Sequence, residues 1–239
     1  MVLSKNMQKL VAGSSTIRKL FEEGIELAKV VGAENVYDFS LGNPAAPVPE
    51  QVKKSIYDIL ENRNANFVHC YMPNAGYPEV REKVAENLNK KYNSSFPKED
   101  IIMTVGAAGG INCVLRCLLE QEDEVLCFAP FFGEYNSYVM NFGGNLKVVP
   151  ADYETFQLNV EEADKYITER TKAVIINNPN NPSGVVYNKE TLIRLQKMLE
   201  KAEERIGHPI MCFLMNLTVS WYTMAVNFHL HRIILKTVS

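Results

Sequence analysis

Short apolar runs alternate along this chain with longer stretches of helical spacing. Ile17, Leu20, Phe21, Ile25, Leu27 and Ala28 fall on one helical stripe, and Val36–Leu41 reads as strand-like. Val52–Leu60 is an amphipathic helix. Glu79–Tyr92 is another, with Pro78 suited to its first turn, and Lys90–Asp100 is a polar connection. Ile101–Val105 is a β-rich run that leads through a small-residue turn into a helix carrying Ile111, Val114, Leu115, Leu118 and Leu119. Glu124–Phe128 and Asn145–Val149 read as strands and Val160–Ile167 as a helix. Ala173–Ile176 is an unbroken apolar run, the pattern of a strand covered on both faces. A helix follows from Lys189, marked by Leu192, Leu195, Met198 and Leu199. The chain is therefore expected to be α/β.

Two junctions in this pattern can carry chemistry. After Ile176 the polarity flips to Asn177-Asn178-Pro179-Asn180-Asn181-Pro182-Ser183-Gly184, a composition that ends a strand sharply. It sits where a strand hands over to a helix, the place where open α/β sheets bind ligands. A plain Asn/Pro-rich connecting loop is the alternative. The second junction is Gly106-Ala107-Ala108-Gly109-Gly110. Unpaired N–H groups at a helix start, together with the helix dipole, favour an anion there. The lack of bulky side chains lets a phosphate approach the backbone. The string is neither GxGxxG nor a P-loop with its lysine, so a close-packed turn is the other reading.

Composition narrows the class. The 239 residues fit one large α/β domain or two small ones. Hydrophobic residues make up 46% and charged residues 22%, ordinary for a globular protein. A net charge of −3 gives no reason to expect nucleic-acid or membrane partners. Five scattered cysteines with no CxxC pair, and no signal-peptide pattern, point to a reduced, cytoplasmic protein. Cys113 and Cys117 lie one helical turn apart, but no His flanks them, and no metal site is expected.

The string NNPNNPSG resembles the NPxNPTG signature of the class I aminotransferases, enzymes of the aspartate aminotransferase type that use pyridoxal phosphate. Other segments resemble the same family in the same order. LGNPAAPVPE is similar to its LGNPxxPxP segment, which implies that Gly42 lies beside the substrate. Tyr71-Met72-Pro73-Asn74-Ala75-Gly76-Tyr77-Pro78-Glu79-Val80-Arg81 is similar to YxPxxGxPELR, which implies that Tyr71 reaches the cofactor phosphate of a partner subunit in a homodimer. From the residues alone, Tyr71 is an interface or core aromatic. By the same resemblance the backbone of Gly106, Ala107, Ala108 and Gly109 grips the phosphate, with Ala108 where many relatives carry a hydroxyl. Ala129-Pro130-Phe131-Phe132-Gly133-Glu134-Tyr135 is similar to PxYxxY, which makes Phe132 the aromatic stacked on the pyridine ring; two core phenylalanines are the alternative. Asn181 takes the bond to the phenolic oxygen and contributes to the substrate site. The implied fold is a three-layer αβα sandwich with a mostly parallel sheet, the large domain of a fold-type-I enzyme. The implied reaction moves an amino group between an amino acid and a 2-oxo acid.

The resemblance stops near residue 210. The family continues with a [SD]DExY strand, a lysine that holds the cofactor and an arginine for the substrate carboxylate, and none has a matching motif here. Ile206–Ser239 contains no acidic residue, three of the four His and the only Trp. Lys236 is the only lysine after Lys201. Charged and polar residues interrupt 211–239 too often for a membrane span of about 18 apolar residues. A reading-frame change is the expected explanation of the break, with an unusual but real C-terminus as the alternative. Codons straddling Met211/Cys212, Met215/Asn216, Trp221/Tyr222 and Met224/Ala225 must read Val, Glu, Val and Gly, and permitted codons elsewhere complete YVFSDEPYRELVYDG, the missing strand. The expected organisation is thus 1–45 as N-terminal arm and start of a small domain, 46–210 as a partial cofactor domain, and 211–239 as a tail foreign to the family. The C-terminal small domain and catalytic lysine are expected to be missing, and the chain is expected not to turn over. A lyase on the same fold, a non-catalytic phosphate-binding or interaction protein, and a nucleotide-binding domain using GAAGG are the alternatives.

Overall fold

The computed structural model describes residues 2–3, 7–8, 16–39, 42, 47–215 and 232–235. The chain divides into two compact units, Met1–Tyr71 and Met72–Ser239.

The first unit is helical. α1 spans Thr16–Val31, α2 Glu50–Asn62 and α3 Ala65–Val68. Pro49 supplies an extended residue before α2, and Asn64 caps α3 by accepting from the Asn66 N–H at 2.8 Å. Leu20 and Leu27 of α1 and Ile56 and Leu60 of α2 are exposed. The strand expected at 36–41 is not found: residues 36–39 are irregular and 40–41 lie outside the described residues.

The second unit is the α/β body. α4 (Pro78–Tyr92) opens on a proline and ends at Asn93, whose left-handed backbone (φ 48°) stops the helix. Arg81 then ties the following segment down, donating from Nε to the Ile101 carbonyl at 2.7 Å and from Nη2 to the Lys98 carbonyl at 2.8 Å. Ile101–Val105, expected as a strand, forms none. The Ile101 N–H bonds back to the Lys98 carbonyl at 3.1 Å and the Met103 N–H to the Ala75 carbonyl at 2.9 Å, neither to a strand, and a β-rich run without a neighbouring strand has no ladder to join.

From α5 onward the elements follow the hydrophobic pattern. α5 is Gly106–Leu118, β1 Glu124–Phe128, α6 Tyr135–Met140, β2 Asn145–Val149, α7 Val160–Ala163, β3 Thr171–Asn177, α8 Lys189–Ile206, β4 Met211–Met215 and β5 Arg232–Leu235. The helix expected over 160–167 is α7 continued by a 3₁₀ turn at Asp164–Tyr166. The strands form one parallel sheet in the order β2-β1-β3-β4-β5. Alternate side chains of β1 and β3 point to opposite layers. Leu126, Phe128, Val174 and Ile176 pack under α7 and α8 with Leu192, Leu195 and Leu199. Val125, Cys127, Ala173 and Ile175 face α5 and α6, against Ile111, Leu115, Tyr135 and Val139. This is the expected three-layer αβα arrangement. Asn188 caps α8 by accepting from Thr191 N–H at 2.8 Å, and Gly207 ends it with φ +78°.

Met211–Met215, assigned from sequence to a tail, is the fourth strand. Ala173 through Asn177 pair with Met211 through Met215 in register, and Phe213 and Met215 are buried in the α5/α6 layer. An apolar run beside an open strand edge satisfies its backbone by joining it. Residues 216–231 and 236–239, the remainder of that expected tail apart from β5, lie outside the described residues.

Candidate functional site

Strand order reverses at β1: the chain goes outward to β2, then returns to place β3 on the other side of β1. The loops leaving the carboxyl ends of β1 and β3 therefore part to opposite faces, the switch point where open α/β sheets hold ligands. The β1 loop carries Pro130, Phe131 and Phe132. The β3 loop carries Asn177–Gly184. α5 runs back along the sheet before β1, so its N-terminus lies at the same edge, with Ala107 packed against the cluster that holds Phe131 and Tyr135.

At the start of α5, Gly106 has φ +68°, and a Cβ there would meet nothing within 4 Å. Glycine is required by backbone conformation, and the space in front of it is open. The N-cap, Val105, has no acceptor side chain. Among the described residues no group outside the helix accepts from the N–H of Ala107, Ala108 or Gly109. This cradle has the positive end of a helix dipole, the N–H donors of a first helical turn and no bulk, and it fits a phosphate.

Phe132 is 39% exposed and meets Tyr135 edge-on, with centroids 5.7 Å apart and planes at 78°. Phe131 instead stacks on Tyr135 at 6.4 Å and 19°. The two phenylalanines thus differ: Phe131 belongs to the core, while Phe132 offers a partly open ring.

The asparagine run is folded by its own side chains. Asn177 is buried; its Oδ1 accepts from Asn181 N–H at 2.8 Å and its Nδ2 donates to Met215 O at 3.1 Å. Asn178 Oδ1 accepts from Tyr187 N–H at 2.9 Å. Asn180 is buried and fully bonded within the same edge. Gln157 holds the outgoing strand of the loop, donating to Val186 O at 3.2 Å and accepting from Asn188 N–H at 2.9 Å. Asn181 is the exception. It is exposed, and among the described residues its side-chain amide has no protein partner.

The floor beneath these loops is uncharged. Burial pushes the Cys127 thiol up to about 12 and the Tyr187 phenol up to about 12, the latter against a lowering bond from Asn180. Burial also raises Tyr135. All three are neutral near pH 7, so an anion at this edge meets dipoles and N–H donors and no opposing charge.

Gly106, Ala107, Ala108, Gly109, Phe132 and Asn181 are brought to one edge of the second unit. Gly42 and Tyr71 belong to the first unit, where both are exposed. Asn43–Ala46 lie outside the described residues. Sequence reasoning missed Asn177, Asn180, Tyr187 and Gln157. The density of asparagine was the available signal, because Asn side chains mimic backbone turns. Among the described residues no cluster of three or more metal-ligating side chains occurs, and no helix is long and apolar enough to cross a membrane.

Comparison with known proteins gives a concordant result. The model of the family described as Aminotransferase class I and II matches residues 33–212. Aromatic-amino-acid aminotransferase 2 of Thermococcus litoralis is 38% identical over 195 residues, covering 80% of this chain and 47% of that protein. Aspartate aminotransferase of Pyrococcus abyssi is 38% identical over 180 residues, covering 74% and 44%. Among solved structures, an amino transferase from Eubacterium rectale superposes with a TM-score of 0.86 at 40% identity, covering 90% of this chain and 55% of that one. Aspartate aminotransferase from Thermus thermophilus with maleate gives 0.74 at 28% identity, covering 90% and 53%. The chain spans about half the length of the curated relatives it matches. Motifs, sheet order and the aligned span agree, and the chain belongs to the class I and II aminotransferase family.

Proposed function

We propose that this chain binds pyridoxal 5'-phosphate at the β1/β3 edge and is the N-terminal part of an enzyme that moves amino groups between an amino acid and a 2-oxo acid. The observation that carries the reading is the free amide of Asn181, left exposed by three neighbouring asparagines whose side chains fold the loop.

The N–H groups of Ala107, Ala108 and Gly109 hold the phosphate, aided by the dipole of α5. Ala108 has no hydroxyl, so backbone donors carry this contact. Phe132 lays its open face against the pyridine ring and fixes its plane by dispersion. Asn181 Nδ2 donates to the ring's phenolic oxygen, which favours the ionised oxygen there. When bound, the cofactor supplies an electron sink for a substrate carbon that loses its proton. The family likeness supports Tyr71 as a phosphate ligand for a partner subunit in a homodimer. The five cysteines are free thiols, in keeping with a reduced, cytoplasmic setting.

Binding by the chain as given is weak and non-covalent, because no lysine follows Lys201 except Lys236, which sits in no Ser-rich motif. Absorbance titration with pyridoxal phosphate, then borohydride reduction and peptide mapping, tests this. A saturable shift without a fixed adduct is expected. No response, or a stoichiometric reduced adduct on one lysine, contradicts it.

A further inference from the structure

One buried side chain joins the loop that carries Phe132 to the loop that carries Asn181. Asn180 is 7% exposed. Its Nδ2 donates to the Pro130 carbonyl at 3.2 Å and to the Tyr187 hydroxyl at 2.9 Å. Its Oδ1 accepts from Ser183 N–H at 3.1 Å and Ser183 Oγ–H at 2.7 Å. The orientation of the amide is forced: a backbone N–H can only meet an acceptor, and a carbonyl oxygen only a donor. Both donors and both lone pairs are therefore used. Among the described residues the Asn180–Pro130 bond is the only hydrogen bond between the two loops.

We propose that Asn180 is a positioning residue that fixes the spacing between Phe132 and Asn181, and so governs how the cofactor's ring is held while leaving the phosphate cradle untouched. This rests on the pyridoxal phosphate reading above. Pro130 lies two residues before Phe132, and Asn180 is adjacent to Asn181. A bond buried from water between these points is stronger than an exposed one and leaves neither loop free to slide. α5 shares no side-chain bond with Asn180, so its N–H donors keep their geometry when Asn180 changes.

The alternative role, a staple within 178–187, differs in reach. Asn180→Asp keeps the acceptor for Ser183 but sets oxygen against the Pro130 carbonyl, which breaks the bridge; the Tyr187 hydroxyl, which can donate as well as accept, turns to donate to the new oxygen. Ser183→Ala weakens the loop and leaves the bridge. Amide exchange is first measured without ligand. The Tyr135 N–H, bonded to Phe132 O at 3.1 Å, and the Asn136 N–H, bonded to Gly133 O at 3.2 Å, report on the Phe132 loop. They are expected to exchange about tenfold faster in Asn180→Asp, the loss of roughly one hydrogen bond, and unchanged in Ser183→Ala. Binding of pyridoxal phosphate is then expected to weaken about tenfold in Asn180→Asp, with loss of the ring's circular dichroism, while inorganic phosphate affinity stays within about twofold. If circular dichroism shows the Asp variant unfolded, Asn180→Ala removes the bridge without adding charge and replaces it, with Ser183→Ala as the control for the lost loop bonds.

Unchanged exchange at Tyr135 and Asn136 overturns the proposal, as does equal weakening of both ligands. A wild-type chain that shows the exchange coupling but no pyridoxal phosphate signal supports the bridge and overturns the cofactor reading instead.

Discussion

The side chain of Asn177 accepts a hydrogen bond from the backbone N–H of Asn181 at 2.8 Å. The same amide donates to Met215 O at 3.1 Å, at the end of β4. The residue that closes β3 thereby holds both the neighbouring strand and the backbone of the asparagine that faces outward. The free amide of Asn181 has a fixed starting point because its own main chain is anchored.

Asn177→Ala is expected to cost about 2 kcal/mol, since it strands the Asn181 N–H near a buried edge. Met215 O keeps one partner, the Asn178 N–H at 3.1 Å, which limits the loss. Asn177→Asp restores the acceptor and should recover part of the stability. Denaturant unfolding of both variants checks the order wild type, Asp, Ala.

Two glycine-to-alanine changes at the head of α5 should act in opposite directions. Gly106 has φ +68° with open space at the Cβ position, so Gly106→Ala costs about 1–2 kcal/mol of backbone strain and disturbs the phosphate cradle. A Cβ at Gly109 meets Thr104 Cβ at 3.7 Å, ordinary contact, in helical backbone. Gly109→Ala should stabilise by up to about 1 kcal/mol. Thermal melts of the two variants give the comparison.

Stability should fall on the acid side in part through Glu124. Its carboxylate is buried at the start of β1, 2.6 Å from Thr168 Oγ1, 3.3 Å from Lys147 Nζ and 3.4 Å from Arg170 Nη2. Burial pushes its pKa up, but the Thr168 bond and the two cations outweigh it and hold the carboxyl below its ordinary value of 4.5. The folded state binds this proton less readily than the unfolded chain. The stabilisation is therefore fully present above about pH 5 and is lost as pH falls through the folded pKa. Glu124→Gln should flatten the acid limb of a stability–pH curve and leave its neutral plateau lower. An acid limb unchanged by the substitution would contradict this.

We also propose a gene-level origin for the departure after Ile210. The match to the family ends at residue 212. Restoring one base at the Ile210/Met211 junction should give a strand ending in Asp-Glu-Pro-Tyr, with a lysine in a Ser-rich turn beyond it. Sequencing the locus in all three frames decides it: no frame encoding that strand and lysine excludes the frame change.

Much of the fold was legible because periodicity reports which faces are covered. Glu124–Phe128 and Asn145–Val149 are the strands that the apolar pattern marks. Ile101–Val105 shows where that reasoning fails: strand propensity is local, but a strand needs a neighbour. Met211–Met215 is the converse, since the composition break drew attention away from five apolar residues able to pair with β3. At the candidate site, motif spacing singles out Phe132 and Asn181, and the structure leaves both exposed. The division of labour among Asn177, Asn178, Asn180 and Asn181 was not legible, because four identical side chains interrupted only by Pro179 differ just in where the folded backbone points them.

The central claim is that α5 holds the phosphate while Phe132 and Asn181 hold the ring. It is tested most directly by titrating pyridoxal phosphate into uniformly 15N-labelled protein and following backbone and side-chain amide resonances. The account predicts concerted shifts at the Ala107, Ala108 and Gly109 N–H groups and at the Asn181 side-chain amide, with inorganic phosphate moving only the first three. Shifts that leave these four unmoved, or a pyridoxal phosphate titration that moves none, would contradict it.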